Sequence, residues 1–479
     1  MLRPICSTML LLSLVSLSHA QELEQRSSLS DQRAVAVTIY NENLALVKDQ
    51  RRVSLKRGAS ALAFRDVSAR MRPETALLRS VTAPGSLSVI EQNFDFDLLT
   101  PQKLLEKYVG QTVNVVRVNP STGVETSEVA QVLSANEGVV LKIGNRIETG
   151  LPGRIVYNDV PANLRDRPTL VMSINNTSTA PQDVELSYLT GGLAWKADYV
   201  VELNPGEDKL DLSGWVTLTN TSGTSFKNAQ LQLVAGDVNQ VHDAPQVAGG
   251  IVRMASAPAP KMKTEMAEES LFEYHLYTLG RATTILENQT KQVALLSASA
   301  VPVRKEFLLR GADYYYQGSY GDLGQKMKVA AFIEFDNKES AQLGLPLPKG
   351  VIRVYKKDGS GNAQFIGEDN VDHTPKNEKV RLKLGDAFDV TADKKQTDFK
   401  KIAGNSKYNY IFESAYEINL KNAKKEAVTV TVQEPMPGDW QILSSSHSYE
   451  KGASNTAVWR VVVPAEGSTK LVYRSLVKY

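Results

Sequence analysis

The side chains best suited to acid–base or metal chemistry in this sequence are its histidines, and they are few. Five occur among 479 residues, at His19, His242, His275, His373 and His447. No two of them stand at the short spacing that places two metal ligands on one element. A zinc site would require the fold to gather them, so the sequence predicts neither a bound metal nor a cofactor.

One histidine has acidic neighbours in the same stretch of sequence. The segment FEYHLYTL (272–279) alternates large and polar residues like a strand, which would place Glu273 and His275 on one face. Glu287 lies twelve residues downstream of His275. These three residues are the candidates for general acid–base catalysis. The alternative, which the sequence leaves open, is a histidine that is simply hydrogen-bonded within a strand.

A run of tyrosines indicates a different kind of chemistry. Tyr314, Tyr316 and Tyr320 could present rings on which a sugar stacks, which would make the chain a carbohydrate-binding module. Alternation along a strand would bury every second ring of the run, which argues against a continuous platform.

Two further reaction motifs are missing from the sequence. No Gly-x-Ser-x-Gly elbow is present for a serine nucleophile. The stretch DGSGNAQFIGEDN (358–370) begins like a calcium loop but has neither glycine at its sixth position nor glutamate at its twelfth. A hairpin turn at Asp358 and Gly359 explains that stretch more simply. The sequence therefore favours a protein that is not an enzyme.

The first twenty residues predict export from the cytoplasm. Arg3 precedes an apolar run, and Ser18-His19-Ala20 is a small-x-small pattern before a cleavage point at Gln21, so residues 1–20 are a predicted secretory signal. The only cysteine, Cys6, lies within it, so the predicted mature chain has no disulfide and depends on the size of its core. The protein is expected to be periplasmic or secreted.

Composition and charge restrict the possible partners. The chain has 42% hydrophobic and 23% charged residues, and removal of Arg3 with the signal lowers its net charge from +2 to +1. A nearly neutral chain has no general attraction to nucleic acid, and we predict none as a partner. No later apolar run reaches the roughly 20 residues that a transmembrane helix requires.

The pattern of strands predicts an all-β, multidomain protein. Residues 184–220 read as strands joined by Gly and Asn-Pro-Gly turns, with four large aromatic residues at strand spacing, Tyr188, Trp195, Tyr199 and Trp215. A β-sandwich core is the expected product. The predicted divisions are a flexible leader at 21–33, a small N-terminal β unit at 34–98, an inserted small β-barrel at 99–157, a central β-sandwich region at 158–400 with a mobile loop at 243–270, and an immunoglobulin-like C-terminal sandwich at 401–479.

Individual residues support two of these divisions, the inserted segment and the C-terminal segment. In the inserted segment, Thr100 and Pro101 can cap and open a short helix, and the bent strands that follow resemble a small barrel of the Sm-like kind. In the C-terminal segment, Trp440 and Trp459 are the expected core residues of the sandwich.

Asparagine followed by threonine or serine occurs where predicted strands end. Asn175, Asn176 and Asn220 precede such turns, and the same tripeptides, with one more at Asn288, match the N-glycosylation pattern. We interpret them as turn residues, because strands that end repeatedly in an Asn-Thr turn are typical of hairpin-rich sandwiches.

Five phrases in order carry a family resemblance. They are YLTGGLAWKADY, GWVTLTN with LVAGDV, EYHLYTLGRATTILENQTKQ, LGLPLPKGVIRVY and EPMPGDW with LVYRSLVKY. Together they resemble a bacterial family, the domain of unknown function found at the C-terminal end of mucoidy-inhibitor-A-like proteins, over roughly residues 171–479. The resemblance implies a secreted or periplasmic β-rich protein and supplies no catalytic residue. Residues 99–157 replace the coiled coil of those proteins.

The expected function is a non-catalytic binding or assembly role in the bacterial envelope. Its partner would be another envelope protein or a polysaccharide, and the surface that we expect to bind is the segment 249–270 beside FEYHLYTL. Two alternatives stay open. One is a hydrolase of envelope polymers centred on His275, Glu273 and Glu287, and the other is carbohydrate binding through the tyrosine run.

Overall fold

The protein is built almost entirely of β-strands, which confirms the predicted class. The computed structural model describes residues 24–41, 43–150, 153–161, 164–236, 238–240 and 266–479. Within these residues lie thirty strands, one α-helix and four short 3-10 helices. None of these described helices could span a lipid bilayer. The predicted signal peptide and residues 243–265 of the expected loop lie outside the described residues.

Strands and helices are numbered in the order in which they occur along the chain. The first are β1 (Gln25–Ser27), β2 (Gln32–Tyr40), β3 (Leu44–Val53), β4 (Gly58–Arg65), β5 (Leu77–Ser80), β6 (Leu87–Asp95), α1 (Pro101–Lys107), β7 (Thr112–Val118), β8 (Glu125–Ser134), β9 (Val140–Ile143), β10 (Arg146–Thr149) and β11 (Arg154–Val156). Next are β12 (Thr169–Asn176), β13 (Gln182–Thr190), β14 (Leu193–Leu203), β15 (Lys209–Asn220), β16 (Phe226–Ala235), β17 (Met266–Leu271), β18 (Tyr274–Leu279), β19 (Thr283–Ile285) and β20 (Gln289–Arg310). The last are β21 (Asp322–Asp336), β22 (Gly350–Lys357), β23 (Ala363–Val371), β24 (Lys379–Ala403), β25 (Tyr410–Asn422), β26 (Val428–Pro435), β27 (Asp439–Ser445), β28 (Tyr449–Ala453), β29 (Thr456–Val463) and β30 (Gly467–Lys478). The 3-10 helices are Leu29–Asp31, Pro73–Thr75, Asp313–Tyr316 and Glu339–Ala341.

The leader that was expected to be flexible is ordered from residue 24 onward. Strand β1 pairs in parallel with β4, and Ser28 caps the first 3-10 helix through the Asp31 backbone and side chain. The guanidinium of Arg51 also donates to the Ser27 carbonyl oxygen, at 3.0 Å. Polar composition suggested mobility, but backbone pairing and this buried arginine fix the segment instead.

Strands from the N-terminal unit and from the central region share one sheet and one core. Seven strands of the eight-stranded sheet follow the order β17-β18-β16-β2-β3-β13-β5, and the eighth, β19, pairs with β16. Strand β2 runs parallel to β16, and β3 runs antiparallel to β13. A four-stranded sheet, β1-β4-β12-β6, packs on it, and buried residues from Val35 to Leu382 form a single cluster. The predicted units 34–98 and 158–400 are therefore not separate, because long-range strand pairing joins them.

The aromatic residues that predicted the central core behave differently from one another. Tyr188, Trp195 and Tyr199 are buried, and each polar group finds a backbone partner, such as the Pro348 carbonyl oxygen for the Tyr199 hydroxyl. Trp215 is exposed instead, because it occupies an outward position of the alternating strand β15. Alternation identified the strand but did not show which of its faces is covered.

The C-terminal core begins well before the predicted boundary at residue 401. Its buried cluster runs from Phe307 to Val477 and includes Trp440 and Trp459, as predicted. Strand β24 contributes Leu382 to the first core and Val390 to the second. The boundary was misplaced because strands β20, β21 and β24 continue from one core to the other without a linker.

The inserted module contains the predicted helix, but its sheet is open. Thr100 accepts a hydrogen bond from the Lys103 backbone at 3.1 Å, and Pro101 occupies the first turn of α1. Five strands follow in the order β10-β9-β8-β7-β11 over a small core of their own. Among the described residues no ladder joins β10 to β11, which corrects the expected barrel. The two end strands have only four and three residues, and an Arg117–Glu148 ion pair at 2.7 Å bridges β7 and β10 instead.

Three asparagines occupy equivalent corners of the sandwiches. Asn176, Asn220 and Asn422 are the last residues of β12, β15 and β25, and in each case the next strand starts six residues later without pairing to the strand before it. All three side chains are buried. Each side-chain oxygen accepts from the backbone N–H two residues ahead, and each side-chain amide donates to backbone carbonyl oxygens. The interpretation of these motifs as turn residues holds for Asn176 and Asn220.

A carboxylate in a surface turn of the central region is held by two lysines. Glu207, in the turn between β14 and β15, accepts hydrogen bonds from the ammonium groups of Lys305 on β20 and Lys356 on β22. Burial alone would raise the pKa of the Glu207 carboxyl, but these two bonds outweigh it and lower the pKa to about 2. The carboxylate therefore ties a hairpin to two other strands.

Replacement of Asn176 by alanine is expected to lower the free energy of unfolding by about 2 kcal/mol, because backbone carbonyl oxygens and an N–H lose buried partners. Asn175→Ala is the matched control, since this neighbour is exposed and should change stability by less than about 0.5 kcal/mol. Urea unfolding of both variants measures the difference. Equal losses would show that Asn176 does not hold the corner.

Glu207→Gln is expected to reduce stability at neutral pH and to lose this effect in acid. The folded pKa lies below the ordinary value of 4.5, so the carboxylate stabilises the fold above that value and loses its contribution as pH falls toward 2. Thermal unfolding of both proteins from pH 7 to pH 2.5 should show converging midpoints. A constant difference across this range would contradict the assignment.

Candidate functional site

A hairpin at the end of the eight-stranded sheet occupies part of the surface that we expected to bind. Strand β17 pairs antiparallel with β18, which pairs with β16. The expected mobile loop at 243–270 is therefore wrong for residues 266–270, which lie in β17. Met266, with 1% of its surface exposed, fixes the start of this strand in the core, and the irregular composition of the segment concealed it.

His275 has an acidic partner, but it is not the predicted one. The Nδ1 atom of His275 lies 2.7 Å from an Oε1 oxygen of Glu268, across the ladder between β18 and β17. Glu273 lies in the turn that joins the two strands and is exposed. Glu268 gave no signal in the sequence, because its segment was predicted to be a loop. An exposed pair of this kind contributes about 0–1 kcal/mol of stability.

Glu287 lies far from His275. His275 is paired with Ala235 at one end of β16, whereas Ile285, just before Glu287, is paired with Phe226 at the other end. Nine residues of strand separate these positions, which corresponds to about 30 Å at roughly 3.3 Å per residue. One Glu287 oxygen accepts from the Gly223 N–H at 2.9 Å, which is a turn contact. The three predicted acid–base residues therefore do not converge.

The described histidines also remain apart from one another. Nε2 of His373 lies 3.3 Å from the Asn41 amide, its Nδ1 accepts from the Lys349 N–H, and His447 contacts Ser446. Among the described residues no group of three histidine or acidic side chains could hold a metal ion. His242 lies outside those residues. The absence of a cofactor stays a prediction.

The tyrosine run forms a 3-10 helix, Asp313–Tyr316, and not a strand. Tyr314 is 50% exposed and Tyr320 is 38% exposed, with ring centroids 5.7 Å apart in an edge-on arrangement. Tyr316 is completely buried. Because a 3-10 turn rotates successive side chains by about 120°, Tyr316 points into the core while Tyr314 faces solvent.

Tyr316 belongs to a buried polar group and cannot touch a ligand at the surface. Its hydroxyl donates to Oε2 of Glu434 at 2.8 Å and lies 2.8 Å from the Tyr473 hydroxyl, which completes the chain of hydrogen bonds. Burial raises the pKa of both tyrosines well above the ordinary value. This placement corrects the assignment of Tyr316 as a binding residue and leaves Tyr314 and Tyr320 as exposed rings.

The tip of the β17–β18 hairpin is the more unusual surface. Phe272 is 85% exposed and has a φ of +59°, a left-handed conformation that costs energy in a residue other than glycine. Leu271 beside it is also exposed, and the Phe272 ring lies 6.4 Å from that of Tyr274. A strained apolar tip next to an end strand is typical of a contact surface.

These features describe an all-β protein of packed sandwiches with an exposed hairpin at the end of one sheet. A family model for a domain of unknown function, DUF4139, matches residues 184–479, which is more than half of the chain, and the chain belongs to this family. The matched region begins within β13 and contains the β17–β18 hairpin and the whole C-terminal core. No curated protein matches the sequence.

Tyr316→Phe is expected to lower the free energy of unfolding by about 1–3 kcal/mol, because Glu434 loses a buried donor. Tyr314→Phe, on the same 3-10 turn but half exposed, is the matched control and should change it by less than about 0.5 kcal/mol. Chemical unfolding measures both. If Tyr314→Phe proved as costly as Tyr316→Phe, the buried hydroxyl would not be the stabilising group.

Proposed function

We propose that this chain is a secreted or periplasmic binding protein of the bacterial envelope, related to mucoidy-inhibitor-A-like proteins, which docks another envelope protein on its β17–β18 hairpin without catalysis. The predicted signal at 1–20 supports the location. The single observation that carries the binding role is the position of this hairpin: an end strand of a sheet, with a strained and exposed phenylalanine at its tip.

The outer edge of β17 is suited to strand addition. Five of its six residues are exposed, and among the described residues no strand pairs with its outer side. An end strand has backbone N–H and C=O groups on the side away from its neighbour, and an extended peptide can satisfy them by adding a strand. Backbone hydrogen bonds then supply affinity, and side-chain contacts supply specificity.

The charges on β17 favour a basic partner over a second copy of the chain. Glu268 and Glu269 are adjacent and therefore project to opposite faces of the strand. Antiparallel pairing of two β17 strands around their centres would place Glu268 of one copy directly opposite Glu269 of the other, with one pair of carboxylates on each face, which is unfavourable. An extended segment with lysine or arginine residues would instead complement both faces.

The hairpin tip gives this contact an apolar anchor. Leu271 and Phe272 lie at the end of β17, so a strand added along the edge would end beside them. Aromatic side chains that enter a pocket on a partner often supply most of the binding energy of an interface. The partner is therefore expected to carry an apolar pocket next to its basic strand.

The two alternative functions have less support. A hydrolase centred on His275 would need another acidic group close to this histidine, in addition to Glu268. The predicted one, Glu287, is about 30 Å away along β16. Carbohydrate binding retains two exposed rings, Tyr314 and Tyr320, whose edge-on arrangement gives no continuous flat face. Both alternatives predict a glycan product or ligand and no protein partner.

Site-specific photocrosslinking in cells tests the proposal. A photoreactive amino acid at position 272 is expected to trap one recurrent protein, which mass spectrometry identifies. The matched control is position 388, because Phe388 is also almost fully exposed, at 95%, but lies on β24 of another sheet. Trapping of the same proteins from both positions, or of none from position 272, would refute the docking role of the hairpin.

A second variant tests the charge argument separately. Glu268→Lys combined with Glu269→Lys should reduce the crosslinked fraction from position 272 at least tenfold, because a basic partner strand would be repelled on both faces. The exposed position of both residues leaves the fold intact, which circular dichroism checks. An undiminished yield would exclude a basic partner strand.

A further inference from the structure

The C-terminal core contains an ion pair that is shielded from solvent. Nζ of Lys394 on β24 lies 2.6 Å from Oε2 of Glu434 on β26, and the side chains are 1% and 0% exposed. The two strands are not paired with each other, so these side chains meet across the core. The pair is separate from the hairpin surface and belongs to no function proposed above.

Aromatic side chains enclose the pair. The ring centroids of Tyr315 and Tyr416 lie 4.3 and 5.1 Å from the Lys394 nitrogen, and the Tyr316 hydroxyl donates to Glu434 Oε2. Gly311 closes another side, since a Cβ atom there would lie 2.1 Å from the same oxygen. Lys394 and Glu434 are therefore held in contact, and water has little access to them.

The environment is unfavourable for two full charges. Burial lowers the pKa of Lys394, which favours the neutral amine that can act as a nucleophile. Oε1 of Glu434 is buried and finds no hydrogen-bond partner among the described residues, whereas Oε2 has two. Such an orphan oxygen needs an explanation, because buried acceptors are almost always satisfied.

We propose that Lys394 and Glu434 condense into an intramolecular isopeptide bond. A proton moves from the ammonium to the carboxylate, the neutral Nζ attacks Cδ of Glu434, and the Nζ–Cδ bond forms. The Cδ–Oε1 bond then breaks, and the orphan oxygen leaves with two of the three ammonium protons as water. Nζ keeps one proton, and Oε2 remains as the amide oxygen, so no oxidant or co-reactant is consumed.

The surrounding groups promote each step of this reaction. The Lys394 amine and the Glu434 carboxyl group lie in contact within one core, so the attack is intramolecular. This raises the effective concentration of the amine at the carboxyl group by orders of magnitude. The Tyr316 hydroxyl donates to the oxygen that becomes negative as Nζ adds, and the Tyr473 hydroxyl supports that donor. Tyr316 acts here as a positioning residue in a site where water is scarce and hydrolysis is disfavoured.

The product would form a covalent link across the C-terminal core. Residues 394 and 434 lie on strands that no ladder joins, so the amide adds a covalent connection between β24 and β26. In a chain whose only cysteine is Cys6, such a bond performs the task that disulfides perform in other exported proteins.

Mass spectrometry of the full-length protein under denaturing conditions tests the proposal. The N-terminus of the purified protein is determined first, and the mass of the chain from that residue onward is calculated from the sequence. The measured mass is expected to be lower than this calculated mass by one water molecule. A proteolytic digest should yield one branched fragment that joins residues 394 and 434. Lys394→Met should restore the full mass. Lys395→Met is the matched control, since this neighbouring lysine is exposed and its replacement should leave the water loss in place. A full mass for the wild type, or a water loss located elsewhere, overturns the proposal.

The positioning role of Tyr316 has its own readout. Tyr316→Phe should lower the crosslinked fraction of freshly purified protein several-fold, and longer incubation should restore it, because the hydroxyl accelerates the reaction without entering the product. Tyr314→Phe should leave the crosslinked fraction unchanged. If Tyr316→Phe formed the crosslink at the same rate as the wild type, the Tyr316 hydroxyl would have no role in the reaction.

Discussion

Backbone hydrogen bonding at the corners of the sandwiches is the constraint on which this fold depends. When a strand ends and the chain crosses to a strand that does not pair with it, backbone groups lose their ladder partners in a buried position, which is costly unless another group replaces them. Asn176, Asn220 and Asn422 supply the replacement, each with an oxygen that accepts and an amide that donates. The same local solution recurs at three corners because the geometric problem is the same.

The part of the fold that the sequence predicts is the part that depends on neighbours in the chain. Thr100 and Pro101 identify the only α-helix of the described residues, and the asparagine turns identify strand ends, because capping and turn chemistry act over a few residues. The sharing of a sheet by β2 and β16 is not visible, since it joins positions almost two hundred residues apart. Domain boundaries drawn from local composition failed for that reason.

The candidate site shows the same division between local and distant information. His275 was recognised by residue type, but its partner Glu268 depends on the register of β17 against β18, and β17 itself resembled a loop. The tyrosine run was recognised too, but a 3-10 turn in place of a strand determined which ring is buried. Lys394 and Glu434 gave no signal, because nothing in the sequence brings positions 394 and 434 together.

The long strands β20, β21 and β24 have a mechanical consequence. Because each of them continues from the first core into the second, the two sandwiches are joined by three continuous backbones and the ladders between them. Bending at this junction would have to break several backbone hydrogen bonds together, unlike bending at a flexible linker. Force applied to one sandwich is therefore transmitted to the other, and a load on the hairpin is resisted by the C-terminal core as well.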